Sequence, residues 1–413
     1  MASDPLWYKN AVFYEVDVEM FYDSNGDGVG DLQGLIRRLD YVVDLGVTCL
    51  WLSPFYVSPN RDNGYDIVDY CAVDPRLGTL DDFAALVRAA ESRGLRVITD
   101  LVVNHTSNQH PWFQSARRDL HSPYREYYVW TKNPPPPDPD LKLLFPGVEN
   151  TTWCYDEVVD AFYWHRFYHH EPDLNNANPS VREEIQKIMG FWLDRGSSGF
   201  RVDAAPFMIR KKGIEGTTLD DPHLILREMR AFLSSRRADA VLMAEADGDP
   251  NELAAYFGAA DEMHLLLNFW LDNFAFLALA REQAEPLSNG LRRLPDKPFA
   301  GQWANFLRNL DELDLERLTD SERAEVFRAF AAKARMQIYG RGTRRRLAPM
   351  LTDRRRLELA FSLLFTLPGS PVVVYGDEIG LGEDLSLEER NSVRTPMQWS
   401  AERNAGFSTA SSE

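Results

Sequence analysis

Three carboxylates in the sequence each follow a short apolar segment. Asp203 ends the segment at 199–203, Glu245 ends the one at 241–245, and Asp311 ends the one at 306–311. Taken singly, each acid is also what a helix N-cap or a salt bridge requires. If the three segments are parallel strands of one barrel, however, their carboxyl ends share a face and the acids can converge. A pair of carboxyl groups, one ionised and one protonated, could then cleave an acetal by nucleophilic and acid/base catalysis.

The surrounding sequence alternates between helical and extended patterns. A strand is predicted at 11–18, followed by helix 32–45, strand 47–52, helix 80–93 and strand 95–103. Further strands are predicted at 265–270, 303–311 and from 370 onward. Such alternation indicates an α/β fold with a parallel sheet. With 413 residues, the chain is long enough for a barrel of about 250 residues with an insertion.

Composition and charge narrow the class of partner. The net charge of −18 argues against nucleic acid, because nucleic-acid-binding proteins usually present a basic face. The start of the chain lacks the pattern of a secretory signal, and no apolar run is long enough for a membrane helix. The odd set Cys49, Cys71 and Cys154 is typical of reduced packing cysteines. We therefore expect a cytoplasmic protein with a small, neutral ligand.

The segment 23–31 places oxygen-bearing side chains at alternate positions with glycines between them. A loop of this kind can curl around a hard cation, and Ca²⁺ is the expected one. The segment departs from an EF-hand, which would have Glu where this chain has Gly34. A solvated acidic turn is the alternative interpretation.

Four segments together resemble the signature regions of the alpha-amylase family of glycoside hydrolases. They are Asp100 to His105, Gly199 to Asp203, the Glu245 segment and Asn309 to Asp311, in the family's order. The resemblance implies a (β/α)₈ TIM barrel with a small domain inserted after strand 3. It implies barrel segments at 1–104 and 175–395, an inserted domain at 105–174 and a helical lid insertion at about 312–356. Residues 396–413 would begin a C-terminal β-sandwich that is largely absent.

The resemblance also implies roles for individual residues. Asp203 would be the nucleophile, Glu245 the acid/base and Asp311 a ligand of the sugar hydroxyls, with the nucleophile and acid about 5–5.5 Å apart. Arg201 would keep Asp203 ionised. The other implied sugar-binding residues are Asp62, Tyr65, His105, Phe162 and Arg394. A structural Ca²⁺ would be bound by Asp23, Asn25, Asp27, the Val29 carbonyl and Asp31, and no organic cofactor is expected.

Within the family, segments 7–15, 21–28, 50–56 and 104–113 are similar to the trehalose synthases. This similarity implies isomerisation of maltose to trehalose by glucosyl transfer. Two alternatives remain open: an α-glucosidase acting on maltose or short α-glucans, and a catalytically silent sugar-binding relative. Apolar surface uncovered by a missing β-sandwich would favour self-association, so a homo-oligomer is compatible with the sequence.

Two positions depart from the pattern. Leu310 stands where the family has a His that binds the sugar, and the lost hydrogen bond would cost about 1.5–3 kcal/mol. Such a loss would slow turnover roughly tenfold to hundredfold. Arg210 stands where trehalose synthases have an acid that binds a second calcium with the counterparts of Asn104 and Asp173. We therefore expect the Asp23 loop to be the only metal site, with Arg210 free to pair with Asp173.

Overall fold

Eight parallel strands form a closed barrel in the computed structural model, which describes residues 4–139 and 141–411. The strands are β1 (Phe13–Val16), β2 (Cys49–Leu52), β3 (Arg96–Leu101), β4 (Gly199–Val202), β5 (Val241–Ala244), β6 (Leu265–Leu267), β7 (Gln302–Asn305) and β8 (Ser370–Val374). Each strand pairs with the next along the chain, and β8 pairs back onto β1 with Val372 opposite Phe13. The predicted (β/α)₈ barrel is therefore confirmed.

Helices connect the strands and cover the outside of the barrel. They are Leu32–Arg37, Leu39–Asp44, Leu80–Glu91, Pro179–Leu193, Leu224–Arg236, Phe269–Arg281, Glu285–Arg293 and Arg354–Thr366, with short helices Val18–Phe21, Ala205–Ile209 and Pro250–Ala255. A capping box begins the helix Leu80–Glu91: the Thr79 side chain accepts from the Asp82 amide, and the Asp82 side chain accepts from the Thr79 amide.

Side chains alternate between two buried layers along each strand. Phe13, Ile98 and Met243 belong to an inner cluster, whereas Tyr14 and Leu242 pack with helix residues in the outer core. Toward the carboxyl ends of the strands, the inner positions of β1, β3 and β4 carry charged side chains, namely Glu15, Asp100 and Arg201, each at most 2% exposed. The barrel thus changes from an apolar interior to a charged one at the face where the strands end.

Two predicted strands are shorter than expected. The strand predicted at 265–270 ends at Leu267, because Asn268 caps the helix Phe269–Arg281 by accepting from the Leu271 amide. The strand predicted at 303–311 ends at Asn305, so Asp311 lies on a loop. Arg394 holds this loop in place by donating to the Leu310 carbonyl at 2.9 Å. The acid is therefore positioned by a tertiary contact as well as by its strand.

Two long segments leave the barrel on the same side as the strand ends. Between β3 and β4 lie helix Pro111–Arg118 and an antiparallel sheet of Trp130–Thr131, Ala161–Trp164 and Trp153–Asp156. Between β7 and β8 lie helices Asp320–Phe330 and Leu347–Leu351 and an antiparallel sheet of Leu313–Asp314, Gly342–Thr343 and Gln337–Ile338. The stretch at 312–356 thus contains strands as well as the expected helices.

The end of the chain folds back onto its beginning. Trp399 packs edge-on against Phe21, with ring centroids 5.1 Å apart, and its Nε1 donates to the Phe21 carbonyl. The Phe407 carbonyl accepts from the Asp23 amide. These contacts attach the last described residues to the loop at 23–31.

Cys49, Cys71 and Cys154 are free thiols, as expected. Over the described part of the chain, none of the helices has the length and apolar character needed to span a membrane.

Candidate active site

One buried guanidinium links the acids that end three neighbouring strands. Arg201, on β4, donates through Nη1 to Asp100 Oδ1 at 2.6 Å and to Asp203 Oδ1 at 2.7 Å. Its Nη2 lies 2.8 Å from Glu245 Oε2. Because a guanidinium is small and planar, these contacts bring the carboxyl groups of Asp203 and Glu245 close together. The sequence-predicted pair therefore does converge, although the two residues come from different strands.

The backbone at the strand ends fixes the same two acids. The Asp203 amide donates to the Leu101 carbonyl and the Glu245 amide donates to the Val202 carbonyl, which extends the parallel ladder past β4 and β5. The chain then turns at Ala204, whose φ of 51° lies in the left-handed region that non-glycine residues rarely adopt. The Ala204 amide donates to Glu245 Oε2 at 3.2 Å. The turn therefore supplies a second donor to the carboxylate that Arg201 also binds.

Burial dominates the ionisation of the two acids nearest Arg201. Burial raises the pKa of Asp203 well above its usual value; Arg201 opposes the rise, whereas the charges of Glu245 and Asp100 add to it. Burial likewise raises the pKa of Asp100 to about 6, against the effect of Arg201. Arg201 acts on the pKa of Asp203 in the expected direction, and the same guanidinium is shared among three carboxyl groups.

A second pair of arginines controls Asp311. Arg390 Nη1 and Arg394 Nη2 donate to Asp311 Oδ1 at 2.7 and 2.8 Å, and Arg390 Nη2 donates to Asp62 Oδ1 at 2.7 Å. Burial alone would raise the pKa of Asp311, but Arg390 and Arg394 outweigh it and lower the pKa to about 2. Asp311 is thus a permanent anion and hydrogen-bond acceptor. Sequence reasoning identified Arg394 and missed Arg390, for which the only signal was its place four residues before Arg394.

The remaining predicted sugar-binding residues are divided between two regions. The Tyr65 hydroxyl lies 3.4 Å from Arg201 Nη1 and 3.5 Å from Asp100 Oδ2, within the acidic cluster. His105 is buried beside the Phe167 ring at 5.0 Å, and burial lowers its pKa to about 4, which makes it neutral near pH 7. Phe162 instead packs on Tyr155 in the sheet between β3 and β4, with ring centroids 5.1 Å apart, and it does not line the cavity.

A cavity of about 770 Å³ opens at this face of the barrel, a size typical of small-molecule sites. Glu245, Asp311 and Arg390 line it. Its aromatic wall consists of Phe145, Phe167, Phe207, Phe269 and Tyr339. Phe167 and Phe207 therefore take the place at the wall that the sequence assigned to Phe162. The Leu310 side chain is 4% exposed and packs in the hydrophobic core, so it offers no polar group to a ligand.

A lysine occupies the position where a second cation was considered. Lys212 Nζ lies 3.0 Å from Asp173 Oδ2 and donates to Asn104 Oδ1 at 2.8 Å and to the Asn104 carbonyl at 3.2 Å. The Lys212 side chain is 2% exposed. Arg210 does not pair with Asp173 and lines the cavity instead. Sequence reasoning missed Lys212 because only the fold shows which of the neighbouring cations at 210–212 turns inward.

The carboxylates of the loop at 23–31 bind the loop's own amides. Asp23 accepts from the amides of Asn25, Gly26 and Gly28, Asp27 accepts from Val29, and Asp31 accepts from Ser24 and Gly34. Nowhere in the ranges 4–139 and 141–411 do three His, Cys, Asp or Glu side chains cluster as a metal site requires. The donor set of the loop nonetheless consists of the oxygen atoms that Ca²⁺ prefers.

The buried contacts of Lys212 predict its contribution to stability. Lys212→Ala leaves Asp173 buried without its cation, so we expect the free energy of unfolding to fall by about 3–5 kcal/mol. Lys211→Ala is the matched control, because Lys211 pairs with the exposed Glu215 and with no other acid among the residues that the structure describes. Urea unfolding of both variants, followed by circular dichroism, measures the difference. Equal stability of the two variants would contradict this role of Lys212.

Comparison with known proteins agrees with this geometry. The family model described as "Alpha amylase, catalytic domain" matches residues 17–412. The trehalose synthase/amylase TreS of Mycolicibacterium smegmatis is 48% identical over 415 residues, which covers 99% of this chain and 70% of that protein. The trehalose synthase of Pimelobacter sp. is 43% identical and covers 99% of this chain and 73% of that protein.

Solved structures extend the same similarity to the fold. The crystal structure of the trehalulose synthase MutB superposes with a TM-score of 0.76 at 28% identity, covering 98% of this chain and 78% of that one. The family resemblance of the four sequence segments is thereby confirmed. The chain belongs to the alpha-amylase family and is an enzyme of that family.

Proposed function

We propose that this enzyme isomerises maltose to trehalose by intramolecular glucosyl transfer with retention of configuration. The single observation that carries the proposal is the Arg201 guanidinium that contacts both Asp203 and Glu245. Retaining glycosidases need a nucleophilic carboxylate and a proton-donating carboxyl group in such proximity. The names of the most similar relatives support the choice of reaction within the family.

In the proposed first step, an Asp203 oxygen attacks the anomeric carbon of the terminal glucose. Glu245 gives its proton to the glycosidic oxygen, so the C–O bond breaks. One glucose is released from this bond, and the other stays on Asp203 as a glucosyl ester. In the second step, Glu245 takes the proton from the anomeric hydroxyl of the freed glucose. That hydroxyl then attacks the glucosyl carbon and releases Asp203, and the new bond is the α,α-linkage of trehalose.

The charge balance of the site favours the transition state of both steps. The site contains five acids and three arginines that contact them. The acids are Asp62, Asp100, Asp203, Glu245 and Asp311, and the arginines are Arg201, Arg390 and Arg394. An excess of negative charge stabilises an oxocarbenium-like ring, which gains positive charge as the bond breaks.

Sugar recognition is assigned to the polar groups around the nucleophile. Asp311 is the ionised acceptor for two ring hydroxyls, since its pKa is held at about 2. Asp62 is a second acceptor, and the Tyr65 ring is a stacking surface for the pyranose. Arg390 binds Asp62 and Asp311 at once, so it fixes the distance between the two acceptors.

Hydrolysis is the second candidate, and one observation favours it. The TreS protein of Mycolicibacterium smegmatis carries amylase as well as trehalose synthase in its name. Leu310, which is buried in the core and offers no polar group to a ligand, favours neither reaction. The balance between isomerisation and hydrolysis depends on how long the cavity retains that glucose.

The reaction is tested by incubating the enzyme with maltose and following the anomeric region by proton NMR over hours. We expect trehalose to appear ahead of free glucose. Glucose without trehalose would replace the isomerase with the α-glucosidase. An unchanged spectrum with maltose and with other α-glucosides would favour the silent sugar-binding relative.

We further propose that the loop at 23–31 binds one structural Ca²⁺ through Asp23, Asn25, Asp27, the Val29 carbonyl and Asp31. The oxygen donor set supports this proposal, and the ion would displace amide contacts of the carboxylates. We expect EDTA to lower the Tm of the wild-type enzyme and excess Ca²⁺ to restore it. Asp27→Asn should weaken this response. A Tm that is indifferent to EDTA, with no heat of Ca²⁺ binding by calorimetry, would contradict the site.

A further inference from the structure

Two arginines approach the active-site cavity from different segments and meet at one aromatic ring. Arg166 follows the strand Ala161–Trp164, and Arg210 follows the helix Ala205–Ile209. Their guanidinium carbons lie 5.1 and 5.8 Å from the centroid of the Phe207 ring. Both side chains line the same cavity as Glu245 and Asp311.

The other cations of the cavity wall have carboxylate partners. Arg317 lies 3.3 Å from Asp247, Arg341 lies 2.7 Å from Glu312, and Lys142 lies 2.7 Å from Glu316. Arg390 binds Asp62 and Asp311, and Arg323 binds Asp320. Among the described residues, by contrast, no side chain forms a hydrogen bond or ion pair with the guanidinium of Arg166 or Arg210. The wall therefore has one place where positive charge is not neutralised.

Arg166 is the more constrained member of this pair. Its Nε and Nη1 are buried and have no hydrogen-bond partner. Burial, with the nearby charges of Arg210 and Arg341, lowers the pKa of Arg166 to about 10, whereas the charge of Asp173 raises it. The guanidinium therefore stays charged at neutral pH. Contact with an aromatic ring recovers only a small part of the hydration that a buried cation loses. The buried N–H groups that lack an acceptor destabilise the guanidinium by more than the ring contact stabilises it. A ligand with an anionic group would supply the missing acceptors.

We propose that Arg166 and Arg210 form an anion subsite which neutral maltose leaves unused, and which binds the phosphate or carboxylate group on the second sugar of a further, anionic sugar substrate. The inference rests on the proposed function for its location, because Glu245 and Asp311 on the same wall mark where the sugar chain is cleaved. Guanidinium groups suit this ligand, since their planar N–H forks match phosphate and carboxylate oxygens. Glu252, the one acid of the described cavity wall without an Arg or Lys partner, caps its own helix by accepting from the Asp249 amide.

Direct binding tests the subsite without relying on turnover. Isothermal titration calorimetry would compare glucose 6-phosphate, glucuronate and glucose as ligands of the wild-type enzyme. We expect one of the two charged sugars to bind at least about tenfold more tightly than glucose, and which one does so identifies the anionic group. Equal binding of all three sugars would overturn the proposal. Inorganic phosphate binding as tightly as glucose 6-phosphate would overturn the assignment to a group carried by a sugar.

Variants at the two arginines separate the subsite from general charge effects. Arg166→Gln and Arg210→Gln should each abolish the preference for the charged sugar and leave glucose binding within about twofold. Arg210 is exposed, so its variant is expected to fold even if Arg166→Gln does not. Arg335→Gln is the matched control, because Arg335 is exposed and does not line the cavity. A preference that survives Arg210→Gln would contradict the proposal.

Failure of the subsite and failure of the proposed function give different results. Isomerisation of maltose without any preference for a charged sugar would reject the subsite alone. A preference for a charged sugar that depends on Arg166 and Arg210, in an enzyme that does not convert maltose, would reject the proposed reaction and retain the subsite.

Discussion

The interaction on which the rest of the site depends is the sharing of one buried guanidinium by three carboxyl groups. Arg201 is 2% exposed and contacts Asp100, Asp203 and Glu245 together. Removing such a cation from a buried cluster typically costs about 3–5 kcal/mol, because the remaining acids are left uncompensated. Burial raises the pKa of Asp100 and of Asp203, and Arg201 opposes both rises. The same contact therefore holds the acids together and favours their ionised forms.

The barrel makes this contact geometrically unavoidable. Arg201 pairs across the parallel ladder with Asp100 on β3 and with Met243 on β5, two residues before Glu245. Because side chains at alternate positions point inward, the register of three strands places one cation among the acids. Loops then complete the site with Asp311, Asp62 and Arg390. Lys212 fixes Asn104 and Asp173 nearby without needing a metal ion.

Sequence reasoning reached the parts of this account that depend on local pattern. Alternation predicted a parallel α/β sheet, the family resemblance implied that the sheet closes into a barrel, and strand-end acids predicted Asp203 and Glu245. It failed where tertiary contacts decide: β7 ends at Asn305 although the apolar pattern continues, and Phe162 faces Tyr155 whereas Phe167 reaches the cavity. Arg390 and Lys212 were missed because cations are common on loops, and only the folded chain shows which of them meet buried acids.

The central claim is that Asp203 is the nucleophile of a retaining transfer. It is tested most directly by incubating the enzyme with a fluorinated glucosyl fluoride that slows deglycosylation, followed by mass spectrometry of the intact protein and of its peptides. We expect one fluoroglucosyl group per chain, attached to Asp203, and none in Asp203→Asn. A label on Glu245 or Asp311, or rapid turnover by the Asp203→Asn variant, would contradict it.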